Sequence, residues 1–566
     1  MARAAGRIRR VIVLGVDGMD PSLLQSCIGR GLTPNCKRLA NLGVLTKLDT
    51  SSPPQSPVAW SNFIAGSNPG LHGVFDFIAR DAATLTPHLS TARTLPPRRT
   101  LPLGKYALPL SGARVELLRQ GPTLWNLLAD AGVPATVFRA PVNFPATPTK
   151  ARTLSGLTTP DIHGSYGIFS LYSEAPGRAA GDVPGGRVER IALVDGVARA
   201  LLRGPANSLS AAHENVDLPF AIELNGERSL ARIRIESTEL LLKEKEWSPW
   251  VELQFPLMPL MADVSAICRF YLKQTRPHLE LYVTPVNMHP EEPAMPIATP
   301  SSYARDLVRH GGLFYTQGLP EDTSALSAGV LDDDEFRRQA TDVLEEQMRF
   351  TRYELERFSD GFLYIYFSTL DLNSHAFWRC IDRKHPLYTP ELERRHGDYL
   401  PSLYARIDAA VGWALQHVDE KSVLFIVSDH GFGSFRRQFN LNSWLMDHGY
   451  ARAKNRLDRG NAGYFADTDW PQTKAYGLGI NSLYLNLKGR EPDGVVTPGE
   501  EAERLKDELI ARLTALRDPL SGELVIRLAG KSEWRSYPAG TAFEVAAKSG
   551  FDVKAEGPSA YVCEFL

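Results

Sequence analysis

Runs of consecutive apolar residues, many of them β-branched or aromatic, recur at 11–16 (VIVLGV), 135–138, 362–367 (FLYIYF) and 423–427 (VLFIV). A run of this length without alternating polar positions predicts a strand buried on both faces, as in a parallel sheet. Residues 44–48 predict one more strand. Between these runs the pattern turns helical: 21–41 with a break at Gly31-Leu32-Thr33-Pro34, then 123–131, 336–358, 400–417, 441–448 and 498–516. From about 180 to 325 the character changes again. Short strand-like runs follow one another at 220–224, 231–236, 250–255, 266–272 and 278–283, and Asn225-Gly226 predicts a two-residue hairpin turn. Residues 81–120 are rich in Pro, Thr and Arg, lack a period and predict loop. A strand is predicted at 482–487.

This order predicts an α/β fold: a mostly parallel sheet with helices on both faces, interrupted by a β-rich insertion. The expected divisions are 1–179 for the first part of the α/β core, 180–325 for the insertion and 326–530 for the second part of the core. Residues 531–566 form a tail to which no pattern is assigned.

Composition narrows the function classes. A net charge of -2 argues against a general nucleic-acid binder or a polybasic membrane surface. The five cysteines are scattered without CxxC spacing, which argues against a disulfide framework or a cysteine-based zinc site. The apolar run after the basic residues 1–10 is too short for a signal-peptide core or a spanning helix. A cytoplasmic protein without a membrane segment is the expectation.

Residues with chemical capability gather where the buried runs end. Asp17 follows the first, Asp371 and His375 follow the run at 362–367, and Asp429 and His430 follow the run at 423–427. In open α/β sheets the carboxyl ends of the strands are where ligands bind. An Asp and a His four apart at the start of a helix share one face and can hold one ion. Ser56 precedes Pro57. That pair is an N-cap signature, and it equally suits a nucleophile held at a helix N-terminus, where an anionic phosphoryl group is favoured.

The motifs GVDGMD (15–20), TPN (33–35), SPVAW…AGSNPGLHGVFDF (56–77), DLNSH (371–375) and SDHGF (428–432), in this order, resemble the alkaline phosphatase superfamily, and within it the type I phosphodiesterase/nucleotide pyrophosphatase group. The resemblance covers roughly residues 10–175 and 335–490. It implies an alkaline phosphatase-like fold with two divalent metal ions, usually zinc, on either side of a phosphoryl group. Carried over by position, one ion takes Asp17, Ser56, Asp429 and His430; the other takes Asp371, His375 and a further His. Carboxylate and imidazole ligands suit zinc and are compatible with manganese or magnesium. The last histidine of the chain is His448, either that further ligand or an ordinary helix C-terminal histidine. Asp76 lies near the position where relatives contact the phosphoryl oxygen.

The implied activity is metal-dependent hydrolysis of a phosphodiester or nucleotide pyrophosphate through a phosphoserine on Ser56. The implied partner is a phosphoester small molecule or nucleotide. Two alternatives stay open: a phosphomonoesterase or phosphotransferase of the same superfamily, and a non-catalytic binding protein with an incomplete metal site.

Overall fold

The computed structural model describes residues 8–554, apart from 96, 98, 105, 110–113, 178–179, 211, 259–260, 456–464, 481, 532–541 and 548–550. It is a mixed α/β protein with several sheets. The sheet that carries the site has six strands: β1 (Arg10–Val16), β2 (Ala135–Ala140), β3 (Arg152–Ser155), β4 (Ala298–Thr299), β5 (Gly361–Phe367) and β6 (Ser422–Val427). Their order across the sheet is β4-β3-β2-β5-β1-β6. Every neighbouring pair is parallel except β4 with β3.

The apolar runs divide by parity, as a pleated strand requires. Ile12, Leu14 and Val16 of β1 and Leu363, Ile365 and Phe367 of β5 join one core cluster. Val13, Phe362, Tyr364 and Tyr366 join another. Four helices bear on the site, directly or through one another: α1 (Pro34–Leu42), α2 (Ser56–Ala65), α3 (Thr369–Phe377) and α4 (Tyr399–Gln416). Leu400, Leu403, Tyr404 and Ile407 of α4 pack into the first cluster. Trp60 and Ile64 of α2 pack into the second.

Between β3 and β4 the chain builds antiparallel β-structure. Leu218–Leu224, Leu230–Ile235 and Thr238–Lys243 pair in sequence, and Val251–Met258 pairs with Ala262–Cys268. The turn after Leu224 is longer than the two residues predicted. Asn225 N bonds Leu230 O, and the Asn225 side chain accepts from Ser229 N and Leu230 N. The run 266–272 is divided between two strands, Ala262–Cys268 and Phe270–Gln274, that belong to different sheets.

Three other expectations change. Residues 44–48 form no strand: Val44 and Leu48 are 88% and 75% exposed, with no sheet edge to bury them. The segment 81–120 is not plain loop, because Pro87–Leu89, Ala92–Leu95 and Arg114–Leu117 enter short antiparallel pairs. Strand β6 is an edge strand and only partly buried; Phe425 is 49% exposed. The unassigned tail contributes Ala542–Ala547 and Phe551–Lys554, the first beside Ser482–Leu485, the second parallel to Arg437–Asn440. Among the described residues no helix is long and apolar enough to cross a membrane.

Candidate active site

Four neighbouring elements deliver the site. The parallel register of β1 with β5 and with β6 aligns their carboxyl ends, so Asp17, Asp371 and Asp429 emerge side by side. Gly18 allows the approach. Its φ of +65° suits glycine, and a Cβ there would lie 2.8 Å from the Asp371 Cα. Gly18 N donates to Asp429 Oδ1 at 3.2 Å, and Met19 N donates to Ser428 Oγ at 2.9 Å. Thr50 Oγ1 bonds the Asp429 carbonyl at 2.5 Å. The backbone around the acids is thereby fixed before any ligand arrives.

Ser56 is the first residue of α2, and Gln55 is the N-cap. The Ser56 Oγ donates to Asp17 Oδ1 at 3.2 Å and lies 3.0 Å from His430 Nε2. His430 Nε2 is also 3.4 Å from Asp17 Oδ1, 3.4 Å from Asp429 Oδ2 and 3.8 Å from Asp371 Oδ1. Its other ring nitrogen sits 2.7 Å from the Gly431 carbonyl. A proton held there leaves Nε2 directed at the cluster. His375 Nε2 is 3.5 Å from Asp371 Oδ2, one helical turn away on α3.

The electrostatics are those of an anionic nest. Burial raises the Asp17 pKa well above the ordinary range, and Asp429 and Asp371 add to the effect. Asp429 is raised too, first by burial. Burial opposes charge on Asp371, but His375 and His430 outweigh it and the net shift is downward. Burial likewise disfavours a charged His430, yet Asp429, Asp17 and Asp371 together push its pKa up to about 10.

The donor set fits divalent ions. Asp17, Asp429 and His430 each offer a ligand atom within 4.8 Å of the others. Asp371 Oδ1 and Asp429 Oδ2 are buried without a hydrogen-bond partner, a costly state for a carboxylate oxygen that a cation would relieve.

Asp76 and His448 have other described contacts. Asp76 is 1% exposed and accepts from Phe77 N at 2.6 Å and Ile480 N at 2.8 Å, so it anchors the hairpin that includes Ala475–Leu478. His448 ends the helix Leu441–Asp447. Its Nδ1 is 2.8 Å from the Trp444 carbonyl and its ring lies 4.4 Å from that of Trp444. These are the contacts of a helix C-terminal histidine, and the described contacts of the acid cluster do not include it. Sequence reasoning passed over Trp60 and Tyr366, which both donate to Asp17 Oδ2, at 2.9 and 2.6 Å. Trp60 lies one turn beyond Ser56 on α2; that spacing was the available signal.

A family model described as type I phosphodiesterase / nucleotide pyrophosphatase matches residues 11–186 and 253–543. The chain belongs to that family. It is therefore a hydrolase of the phosphodiesterase/nucleotide pyrophosphatase group. Among solved structures it resembles phosphonoacetate hydrolase from Sinorhizobium meliloti 1021. In complex with phosphonoformate that enzyme aligns at 13% identity and a TM-score of 0.43, covering 99% of this chain and 86% of the other. In complex with phosphonoacetate the values are 12% and 0.42, with 98% and 83% covered. A stretch of 88 residues, 15% of this chain, is 49% identical to a pyrimidine/purine nucleoside phosphorylase of Sorangium cellulosum (strain So ce56) and covers 88% of it. A similar stretch of 89 residues, 16% of this chain, is 43% identical to the corresponding protein of Anaeromyxobacter sp. (strain Fw109-5) and covers 79% of it. Within such a stretch this phosphodiesterase-family chain also belongs to the nucleoside phosphorylase family.

Proposed function

We propose that the protein hydrolyses a phosphodiester or nucleotide pyrophosphate with Ser56 as nucleophile, at a centre for two divalent ions, zinc by ligand type. One ion would be held by Asp17, Ser56, Asp429 and His430, the other by Asp371 and His375. The observation that carries this reading is the Ser56 hydroxyl standing within 3.2 Å of both Asp17 and His430. Ions bound there supply positive charge to the phosphoryl oxygens and acidify the attacking hydroxyl and water.

The chain's own groups account for the rest. Asp17, tied by Trp60 and Tyr366, keeps Oδ1 directed at Ser56. The α2 N-terminus adds its dipole where phosphoryl charge gathers. Ser56 Oγ bonds to phosphorus as the ester P–O bond breaks, and the leaving oxygen takes up a proton. Water then cleaves the phosphoserine, returning the serine hydroxyl and releasing the remaining phosphate.

The test pairs bis-p-nitrophenyl phosphate with p-nitrophenyl phosphate on wild type and Ser56→Ala, with bound metal counted. Diester turnover by wild type at about two ions per chain, and its loss by a factor of about 10³ or more in the variant, is the expected result. Faster turnover of the monoester favours the phosphomonoesterase alternative. One ion or none, with neither ester cleaved, favours a binding protein.

A second reading attaches to the phosphorylase-like stretch: phosphate-dependent cleavage of pyrimidine or purine nucleosides. Release of free base from uridine or inosine by Ser56→Ala, dependent on added phosphate, is its test; no release ends that reading.

A further inference from the structure

Arg119 stands apart from the acid cluster. It follows the strand Arg114–Leu117 and is only 5% exposed. The buried arginines Arg80 and Arg139 each face a glutamate, Glu491 and Glu346, at 2.7 Å. Arg119 forms no ion pair among the described residues. Its one described hydrogen bond runs from Nε to the Val142 carbonyl at 3.4 Å, and Nη1 has none. Burial pushes its pKa down to about 10, so the group stays charged at neutral pH while withdrawn from water, a costly arrangement without a counter-ion.

The groups around it are polar and short of partners. Val142 N bonds Leu157 O at 3.0 Å, which sets Asn143 and Thr158 beside the carbonyl that Arg119 reaches. Both polar atoms of the Asn143 side chain and the Thr158 hydroxyl are buried without hydrogen bonds. Thr91, whose carbonyl accepts from Leu118 N at 2.8 Å, approaches from the paired strand. Its hydroxyl is also unpartnered, as is that of Tyr166. Burial pushes the Tyr166 pKa up to about 12, with the nearby Thr91 hydroxyl opposing.

The patch adjoins the nucleophile's helix. Gln120 N donates to His72 O at 2.8 Å, and His72 Nε2 lies 2.7 Å from Asn62 Oδ1 on α2. Burial and the Arg119 charge hold the His72 pKa down to about 4. His72 is therefore neutral, and no anion there balances the guanidinium.

We propose that Arg119 receives an oxyanion, carboxylate or phosphate, that the substrate carries beside the ester cleaved at Ser56. This rests on the phosphoester reading of that site and narrows the substrate class to phosphoesters with a second anionic group. The guanidinium offers charge and a planar pair of donors. The hydroxyls of Thr91, Thr158 and Tyr166 and the Asn143 amide complete the shell. A ligand lacking the second group leaves these buried polar atoms unpaired, and that is a strong basis for discrimination.

Isothermal titration calorimetry of the full-length, zinc-loaded protein tests this without turnover. The probes are propylphosphonate, 3-phosphonopropionate and, with zinc in excess, methylenediphosphonate. At least one of the two probes with a second anion binds tenfold or more tighter than propylphosphonate. Preference for phosphonopropionate marks a carboxylate, and preference for methylenediphosphonate marks a phosphate. Arg119→Met abolishes that preference, leaves the propylphosphonate affinity within twofold, and raises Tm because a buried, unbalanced charge is gone. If Arg119→Met does not fold, Arg119→Lys keeps the charge without the fork and lowers the preference at least threefold. Equal binding of the three probes by wild type, or a preference that survives either variant, overturns the proposal. Failure of the phosphoester reading is recognised separately, as neither nitrophenyl ester being cleaved while the binding preference stands.

Discussion

Asp17 Oδ2 accepts from the Trp60 indole and the Tyr366 hydroxyl. These bonds turn Oδ1 toward Ser56 and His430, so the two aromatics are positioning residues for the proposed nucleophile. Partners of this kind hold a ligand carboxylate at the right angle, and losing one typically weakens metal binding about 10–100-fold. Tyr366→Phe keeps the ring that packs 5.5 Å from Trp60 and removes only the hydroxyl. Metal titration of this variant is expected to show that loss, with far-UV circular dichroism unchanged; wild-type affinity would show the hydroxyl to be incidental. The acids and imidazoles of the site were legible in the sequence because polar residues at the ends of apolar runs stand out against their surroundings. Trp60 and Tyr366 were not. An aromatic inside an apolar stretch reads as core, and both are core on every side but one.

At the scale of elements, the loop bearing Asp17 is braced by α4, whose Tyr404 hydroxyl accepts from Asp20 N at 2.8 Å. The same helix caps α1. Thr33, the N-cap of α1 by position, makes no side-chain cap. Asp408 from α4 accepts from Cys36 N at 2.7 Å, Asn35 N at 3.1 Å and Asn35 Nδ2 at 2.9 Å. Gly412 permits the contact, since a Cβ there would stand 2.7 Å from Asn35 Nδ2. Asp408→Ala removes a cap and leaves part-buried donors unpaired, a cost of about 1–2 kcal/mol. Denaturant unfolding should show a lower midpoint with an unchanged slope, and a loss under about 0.5 kcal/mol would mean that water replaces the cap. The TPN motif gave no hint of this partner, which lies 373 residues away. Helices and core strands were legible because each is specified within one window. Where a partner decides the outcome, the local pattern misled. Residues 44–48 carry strand-like residues but find no neighbour, and 266–272, apolar except for Arg269, splits between two sheets.

Across the whole molecule, the site unites residues as distant in the chain as Asp17 and His430, so its geometry depends on the complete core, and that core buries acids beyond those of the cluster. Glu321 is one. Thr369 Oγ1 donates to one of its oxygens at 3.0 Å, and the other is buried without a partner. Burial pushes its pKa from the ordinary 4.5 up to about 7. The folded protein therefore retains a proton that the unfolded chain releases. The contribution to stability is full below pH 4.5 and is lost as pH rises through 7, by a total of about 3 kcal/mol. Glu321→Gln keeps the acceptor for Thr369 and removes the titration. Urea unfolding of the chelator-treated proteins between about pH 4.5 and 8 should give a variant whose stability relative to wild type rises with pH and levels off above about 7. Asp322, pushed up to about 6 by burial, is present in both proteins and cancels in the difference, as do Asp17, Asp371 and Asp429. Two stability curves parallel across this range would mean that Glu321 ionises in the folded protein as readily as in the unfolded chain, and that water reaches it from the side where its second oxygen now stands alone.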